Sequence, residues 1–242
     1  MTEQELNALL VKRFSGVRTP FGRWRMNVYT HWKRISWKWL IASTYFVKRL
    51  FDIVASVLFL ILFSPLLILL ALAIIIEDRG PVFFVQKRVG KFGRTFAMYK
   101  FRSMCVDAEA KLKALAAQNQ HITGVTFKMK GDPRITRVGR ILRKFSLDEL
   151  PQFLNVLKGD MSLVGPRPPL PREVALYSNA DRRRLAVTPG LTCFWQIGGR
   201  ADIDFPEQVQ LDVRYIESQS FWVDVKILLK TIPAVLLGRG AC

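Results

Sequence analysis

Residues 145–168, FSLDELPQFLNVLKGDMSLVGPRP, concentrate the side chains best suited to chemistry. Asp148 and Glu149 are adjacent carboxylates just before Pro151. Cations crowd them, with Arg134, Arg137, Arg140, Arg143 and Lys144 upstream and Arg167 downstream. A carboxylate near a helix N-terminus and several cations is kept ionised. An ionised carboxylate is a nucleophile toward phosphorus. It is also a ligand for Mg²⁺, which takes carboxylates together with substrate phosphates. Nearby cations neutralise those phosphates and stabilise charge in a phosphoryl-transfer transition state. Lys87 and Arg88 in QKRVG (86–90), Lys100 and Arg102 in YKFRSM (99–104), and Arg200 after two glycines in QIGGRAD (196–202) extend the set. A glycine-flanked Arg200 suits an anion-contacting loop. Neither a Walker A nor a G-x-G-x-x-G pattern is present, so the usual nucleotide-binding loops are missing.

The same residues have purely structural uses. Asp148 as a helix N-cap places Pro151 at N3, inside the tolerant first turn. Ser146 with Glu149 matches a capping box, but then Pro151 falls at N5, where its missing N–H matters. Arg137, Arg140 and Lys144 share one helical face, which suits either an anion contact or a solvated or lipid-facing surface.

Several elements must hold these side chains. VFFVQKRVG reads as a strand running into a turn at Gly90, and FGRTFAMYKFRSM as a second strand or ribbon. Helices are expected over 106–118, 134–144, from about Asp148, over 173–185 and over 206–218. Loops or turns are expected over 119–132 and at Thr188-Pro189-Gly190, and 165–171 is a stiff Pro-rich segment. The last helix, 221–237, is apolar with Lys226 and Lys230 on one face. Its pattern fits the membrane interface and core packing equally. The region lacks the regular βαβ alternation of a doubly wound sheet.

Composition narrows the classes further. The chain has 242 residues, 37 Lys plus Arg against 19 Asp plus Glu, and a net charge of +18, yet half of it is hydrophobic. The apolar half excludes general disorder. With only two histidines, His31 and His121, far apart, a Ser-His-Asp, Cys-His or His-rich zinc site is excluded as the basis of function. Cys105, Cys193 and Cys242 form no C-x-x-C pair and fit a reducing compartment. A basic excess attracts nucleic acid, anionic lipid or phosphorylated molecules. Before residue 50, Trp24, Tyr29, Trp32, Trp37, Trp39 and Tyr45 alternate with Lys and Arg, like a membrane-interface belt.

The run 53–76, IVASVLFLILFSPLLILLALAIII, carries no charge. As one helix it reaches roughly 36 Å, enough for a bilayer core of about 30 Å. Pro65 at its middle predicts a kink, with the Ser64 hydroxyl available to a freed carbonyl. Cations flank both ends, so charge selects no orientation. A spanning helix, a re-entrant helix that returns to the same face and a buried core helix all remain open on these residues.

The blocks KRLFD (48–52), the apolar helix with Ser64-Pro65, GPVFFVQKRVGKFG (80–93), YKFRSM, DPRITRVGRILRK (132–144), SLDELPQFLNVLKGDMSLVGPRP (146–168), TPGLTCFWQIGGR (188–200) and KTIPAVLLGRG (230–240) together resemble the bacterial sugar transferases. These are the monotopic phosphoglycosyl transferases, also called undecaprenyl-phosphate hexose-1-phosphate transferases. The likeness covers residues 48–242 and is closest to small members that begin exopolysaccharide, capsule or O-antigen repeat units. It implies transfer of a hexose 1-phosphate from a UDP-sugar to undecaprenyl phosphate, with release of UMP through a phosphosugar–aspartyl intermediate.

Under this resemblance Asp148 is the nucleophile and a Mg²⁺ ligand, and Glu149 assists it. Arg143, Arg167, Lys100, Arg200 and Arg88 contact phosphate, and Ser64 and Pro65 break a re-entrant helix. The implied fold is a mixed α/β catalytic domain (80–242) on the cytoplasmic face of the bacterial inner membrane. A re-entrant helix (47–79) and a basic, aromatic extension (1–46), with interfacial amphipathic helices, precede or join it. Anionic membrane lipid is the implied further partner, nucleic acid is not, and a homodimer is compatible with the pattern. The departures are Cys105 and Cys193, where relatives often carry a small residue, and the first forty-odd residues, which match none of the blocks. A membrane-tethered nucleic-acid binder and a single-span scaffold are the competing classes.

Overall fold

The computed structural model describes residues 19–108, 110, 111, 132–199 and 203–236. The expected loop over 119–131, most of the 106–118 helix, His121, Arg200 and Cys242 lie outside the described residues. The chain divides into two compact units, Met1–Lys48 and Arg49–Cys242. Within the first, the described residues from Pro20 onward are helical, and Trp24, Trp32, Trp37 and Trp39 are exposed.

Helix α1 is Pro20–Leu62 and helix α2 is Ser64–Glu77. The two are bent by 63° at the intervening Phe63. Pro65 leaves the Ile61 carbonyl without its helical N–H, and the Ser64 hydroxyl donates to that carbonyl at 2.8 Å. The break therefore lies where the Ser-Pro pair predicts it, and the hydroxyl satisfies the group that proline frees. Among the described residues no single helix is long and apolar enough to cross a membrane; the bent pair passes that test together. Ile68, Leu69, Leu72 and Ile76 of α2 are exposed, while Ile74 is buried.

The expected ribbon is an antiparallel hairpin of β1, Phe83–Val89, and β2, Thr95–Phe101, with Phe84 opposite Lys100. Helix α3, Arg137–Lys144, starts later than expected, because the Thr136 hydroxyl caps it by accepting from Gly139. A buried Arg134 before it is paired with Asp132 at 2.6 Å. A 3-10 turn at Leu147–Glu149 leads into α4, Gln152–Lys158. Strand β3, Ser162–Val164, pairs in parallel with β4, Gly190–Thr192. The mixed helix-and-strand class is as expected, and among the described residues the strands form two two-stranded sheets.

Two expectations fail here. The helix over 173–185 is split into α5, Pro171–Val174, and a 3-10 turn, Asp181–Ala186. The Asp181 carboxylate accepts from both the backbone N–H and the hydroxyl of Ser178, a local turn that competes with helix. Thr188-Pro189 is not a reversal, since Ser162 N–H donates to the Pro189 carbonyl and the chain runs directly into β4. Helices α6, Phe194–Gly198, α7, Phe205–Ser218, and α8, Phe221–Leu236, complete the unit. Helix α8 packs on the core by one face, with Ile227 and Asp224 buried, whereas Trp222, Lys226, Leu229 and Ile232 are exposed.

Two apolar clusters underlie the site. One joins Met98, Val156, Met161, Leu163, Val164, Cys193, Tyr215 and Ile227, with Phe51 and Ala55 of α1 and Phe153 of α4 packed against it. The other joins Ile74 of α2, Phe101 of β2 and Leu142 of α3, and receives Leu147 and Leu150. Burying these side chains contributes roughly 1.5–3 kcal/mol each.

Candidate active site

The turn that carries the carboxylates is oriented by its leucines. Leu147 and Leu150 are three residues apart and share one side of a 3-10 turn, and both pack on the Ile74–Phe101–Leu142 cluster. Asp148 and Glu149 between them are left to the other side. Neither capping reading holds. Ser146 adopts a left-handed conformation (φ 55) without a side-chain cap, and α4 is preceded by Pro151 at its N-cap with no side-chain cap. The carboxylates are thus spent on cations.

Lys100 spans both of them. Its Nζ lies 2.7 Å from Glu149 Oε1 and 3.6 Å from Asp148 Oδ2. Arg167 Nη1 reaches the same Glu149 oxygen at 3.3 Å. The Arg143 charge acts on Asp148 as well. Lys100, Arg143 and Arg167 are therefore brought to the dyad as the sequence predicts, from β2, from α3 and from the segment after β3.

The two acids diverge in proton affinity. Burial raises the Asp148 carboxyl above the ordinary range; Lys100 opposes this, and the Glu149 charge reinforces it. Burial also works against ionised Glu149, but the charges and hydrogen bonds of Lys100 and Arg167 outweigh it and hold this carboxyl at about 2. The cations act unevenly on the two acids: at Glu149 they outweigh burial, at Asp148 burial outweighs them. The result is one fixed anion beside a more basic carboxylate. A more basic carboxylate is the better nucleophile once deprotonated.

Arg88 also feels the Glu149 charge, but its own donors are turned to the protein. It is buried, donating to the Pro168 carbonyl at 3.0 Å and to Gln86 Oε1 at 2.7 and 3.0 Å. Burial, with the charge of Arg167, lowers it to about 10. Its hydrogen bonds fix the Pro-rich segment that bears Arg167. Arg102 is likewise buried and donates to the Asp78 carbonyl at the end of α2. Arg137, Arg140 and Lys144 do present one exposed face of α3. Arg200 lies outside the described residues.

Several further residues position these elements. Arg49 donates to the Val156 and Leu157 carbonyls at 2.5 and 2.8 Å, closing the C-terminus of α4. Buried Asp52 accepts from Leu163 N–H at 3.1 Å. Glu77, the last residue of α2, accepts from the N–H groups of Arg137 and Val138 at 2.6 and 2.9 Å, at the N-terminus of α3. That arrangement satisfies two donors every helix start leaves free. Gly139 lies so close to the Ser103 carbonyl that a Cβ there has no room. Fully buried Asn155 bonds to β2. Arg49 and Asp52 fall in KRLFD, one helical turn apart, and Gly139 and Asn155 fall in the blocks 132–144 and 146–168, but local pattern assigned none of them a role.

The site also suits a magnesium ion. Among the described residues no three His, Cys, Asp or Glu side chains gather into a closed cage. Mg²⁺ needs none: it is held by one or two carboxylates, with substrate phosphates and water completing its shell. Asp148, with its side chain 13% exposed, is the carboxylate that would hold such an ion.

Comparison with known proteins shows the family. Residues 43–238 match the bacterial sugar transferase family. The chain is 51% identical over 207 residues to the galactosyl transferase CpsE of Streptococcus agalactiae, covering 85% of this chain and 46% of that protein. It is 47% identical over 203 residues to the undecaprenyl-phosphate galactose phosphotransferase of Salmonella typhimurium, covering 82% and 42%. It is 43% identical over 197 residues to the exopolysaccharide production protein ExoY of Rhizobium meliloti, covering 80% and 87%. The chain thus spans less than half the length of the first two relatives and most of the third.

Proposed function

We propose, from the chain's membership of the bacterial sugar transferase family, that it transfers a hexose 1-phosphate from a UDP-sugar to undecaprenyl phosphate and releases UMP. The observation that carries this reading is the Asp148–Glu149 pair spanned by Lys100, with Arg167 on the same Glu149 oxygen. Galactose or glucose is the proposed sugar; the names of two relatives, a galactosyl transferase and a galactose phosphotransferase, favour galactose.

In the first step an Asp148 oxygen attacks the β-phosphorus of the donor. The bond from that phosphorus to the bridging oxygen breaks, and UMP leaves with the oxygen and its electron pair. The sugar 1-phosphoryl group is then an acyl phosphate on Asp148. In the second step a phosphate oxygen of the lipid attacks the same phosphorus and Asp148 departs as a carboxylate. Splitting the transfer lets the soluble nucleotide leave before the lipid phosphate arrives. Lys100, Arg143 and Arg167 balance the phosphate charge, and Glu149 holds Lys100 and Arg167 in place. Mg²⁺, held by Asp148 with the donor diphosphate, supplies further charge neutralisation when bound.

The bent α1–α2 pair serves as a re-entrant anchor on the cytoplasmic face of the inner membrane, with anionic lipid meeting the cationic flanks. Exposed Ile68, Leu69, Leu72 and Ile76 beyond the Ser64-Pro65 break support this reading. Purified wild type and Asp148→Asn, each offered UDP-galactose, UDP-glucose and UDP-N-acetylgalactosamine with undecaprenyl phosphate, provide the test. Wild type is expected to release UMP from at least one donor, and the variant, still membrane-bound, from none. Turnover retained in Asp148→Asn contradicts the nucleophile assignment.

A further inference from the structure

Asn155 lies in the middle of α4 and is fully buried. Its amide oxygen accepts from Tyr99 N–H at 3.0 Å, and its amide nitrogen donates to the Ala97 carbonyl at 2.7 Å and to Asp160 Oδ2 at 3.3 Å. In a strand, the backbone groups of residues two apart point to the same edge. Ala97 and Tyr99 therefore present their groups on the edge of β2 that β1 leaves open, and one side-chain amide pairs with both. It takes the place a third strand would fill, pairing part-buried backbone groups that β1 does not reach.

The two elements so joined are the two halves of the site. Strand β2 carries Lys100 immediately after Tyr99. Helix α4 follows directly from the turn that carries Asp148 and Glu149. A second link, from Lys158 Nζ to the Tyr99 hydroxyl at 2.7 Å, is exposed. Asn155 is the buried one, and it acts on backbone, so it fixes the register and distance of β2 independently of side-chain rotamers.

We infer that Asn155 is a positioning residue for the phosphoryl transfer: its amide clamps β2 to α4 and thereby places Lys100 across Asp148 and Glu149. The inference rests on the transferase reading above. A residue acting through Lys100 loses its influence once Lys100 is removed, whereas a residue that merely supports the fold does not.

The test is a double-mutant cycle on the full chain in detergent or nanodiscs, reading UMP release with undecaprenyl phosphate and the donor that wild type uses. Asn155→Asp keeps the shape and the acceptor for Tyr99 but loses the donor to Ala97 and sets a carboxylate against Asp160. It is expected to lower kcat by about 10- to 100-fold, the scale of a small misplacement, while the donor KM moves by less than about threefold. In a Lys100→Met background the same change is expected to cost less than about threefold more. Losses that multiply overturn the inference, as does wild-type kcat in Asn155→Asp. A melting curve confirms that each variant is folded. Where Asn155→Asp is not, Asp160→Ala, which removes the carboxylate that orients the amide, goes through the same cycle. It is expected to give a smaller loss that also vanishes without Lys100; a loss that persists without Lys100, or no loss, overturns the inference. A wild type that releases no UMP from any of the three donors contradicts the transferase reading itself, and the inference falls with it.

Discussion

At the scale of single residues, a pair of adjacent acids is given two characters by its surroundings. Glu149 concentrates Lys100 and Arg167 on one oxygen and is held at about 2, while burial drives Asp148 the other way. Divergent proton affinities in neighbouring acids mark a division of labour. Glu149→Gln removes the anion that fixes two cations and is expected to lower kcat for UMP release by about 100-fold. The same residue makes a stability prediction. An acid whose folded value is depressed stabilises the fold above its unfolded value near 4.5, and this contribution is lost as pH falls toward 2. The melting-temperature gap between wild type and Glu149→Gln is expected to narrow on acidification through that window. A constant gap contradicts the charge assignment. The adjacent acids were legible in the sequence because their charge and spacing are local, whereas Lys100, Arg143 and Arg167 were singled out of many cations by the family resemblance. The acids' freedom from capping duty was not legible, because it depends on Leu147 and Leu150 finding a cluster built from distant elements.

At the scale of elements, the site is assembled by side chains that bond to backbone. Glu77 joins the end of α2 to the start of α3; Arg49 joins α1 to the end of α4; Asn155 joins α4 to β2. Such bonds leave no periodic signal, so a reading of local pattern finds the helices and the hairpin and misses what locks them. Glu77→Ala is expected to cost about 1 kcal/mol through the lost cap on α3, seen as a lower melting temperature. Gly139→Ala is expected to cost more, roughly 1–3 kcal/mol, because its Cβ would meet the Ser103 carbonyl and force α3 away. A neutral Gly139→Ala would contradict the close packing of α3 on that segment. The break at Ser64-Pro65 was legible, since proline and its hydroxyl neighbour act within one turn. The division of 173–185 was not: helical composition there loses to the Ser178–Asp181 turn.

At the scale of the whole molecule, the proposed function gives a charge of +18 on a chain that is half hydrophobic a use: bringing phosphates together at a lipid surface. The proposed re-entrant anchor predicts that cysteines placed at Ser43 and at Arg79, in a chain whose native cysteines are replaced, react with an impermeant maleimide from the same side of sealed vesicles. Labelling from opposite sides would make the bent pair a spanning segment. The central claim is that the phosphosugar passes through Asp148. Its most direct test mixes wild type with UDP-galactose labelled at the β-phosphorus, without lipid phosphate, and maps the label after quenching and proteolysis. The expected result is about one UMP per enzyme, label on Asp148, and its discharge when undecaprenyl phosphate is added. UMP that appears only with the lipid phosphate, while no label is ever found on the protein, would contradict the account.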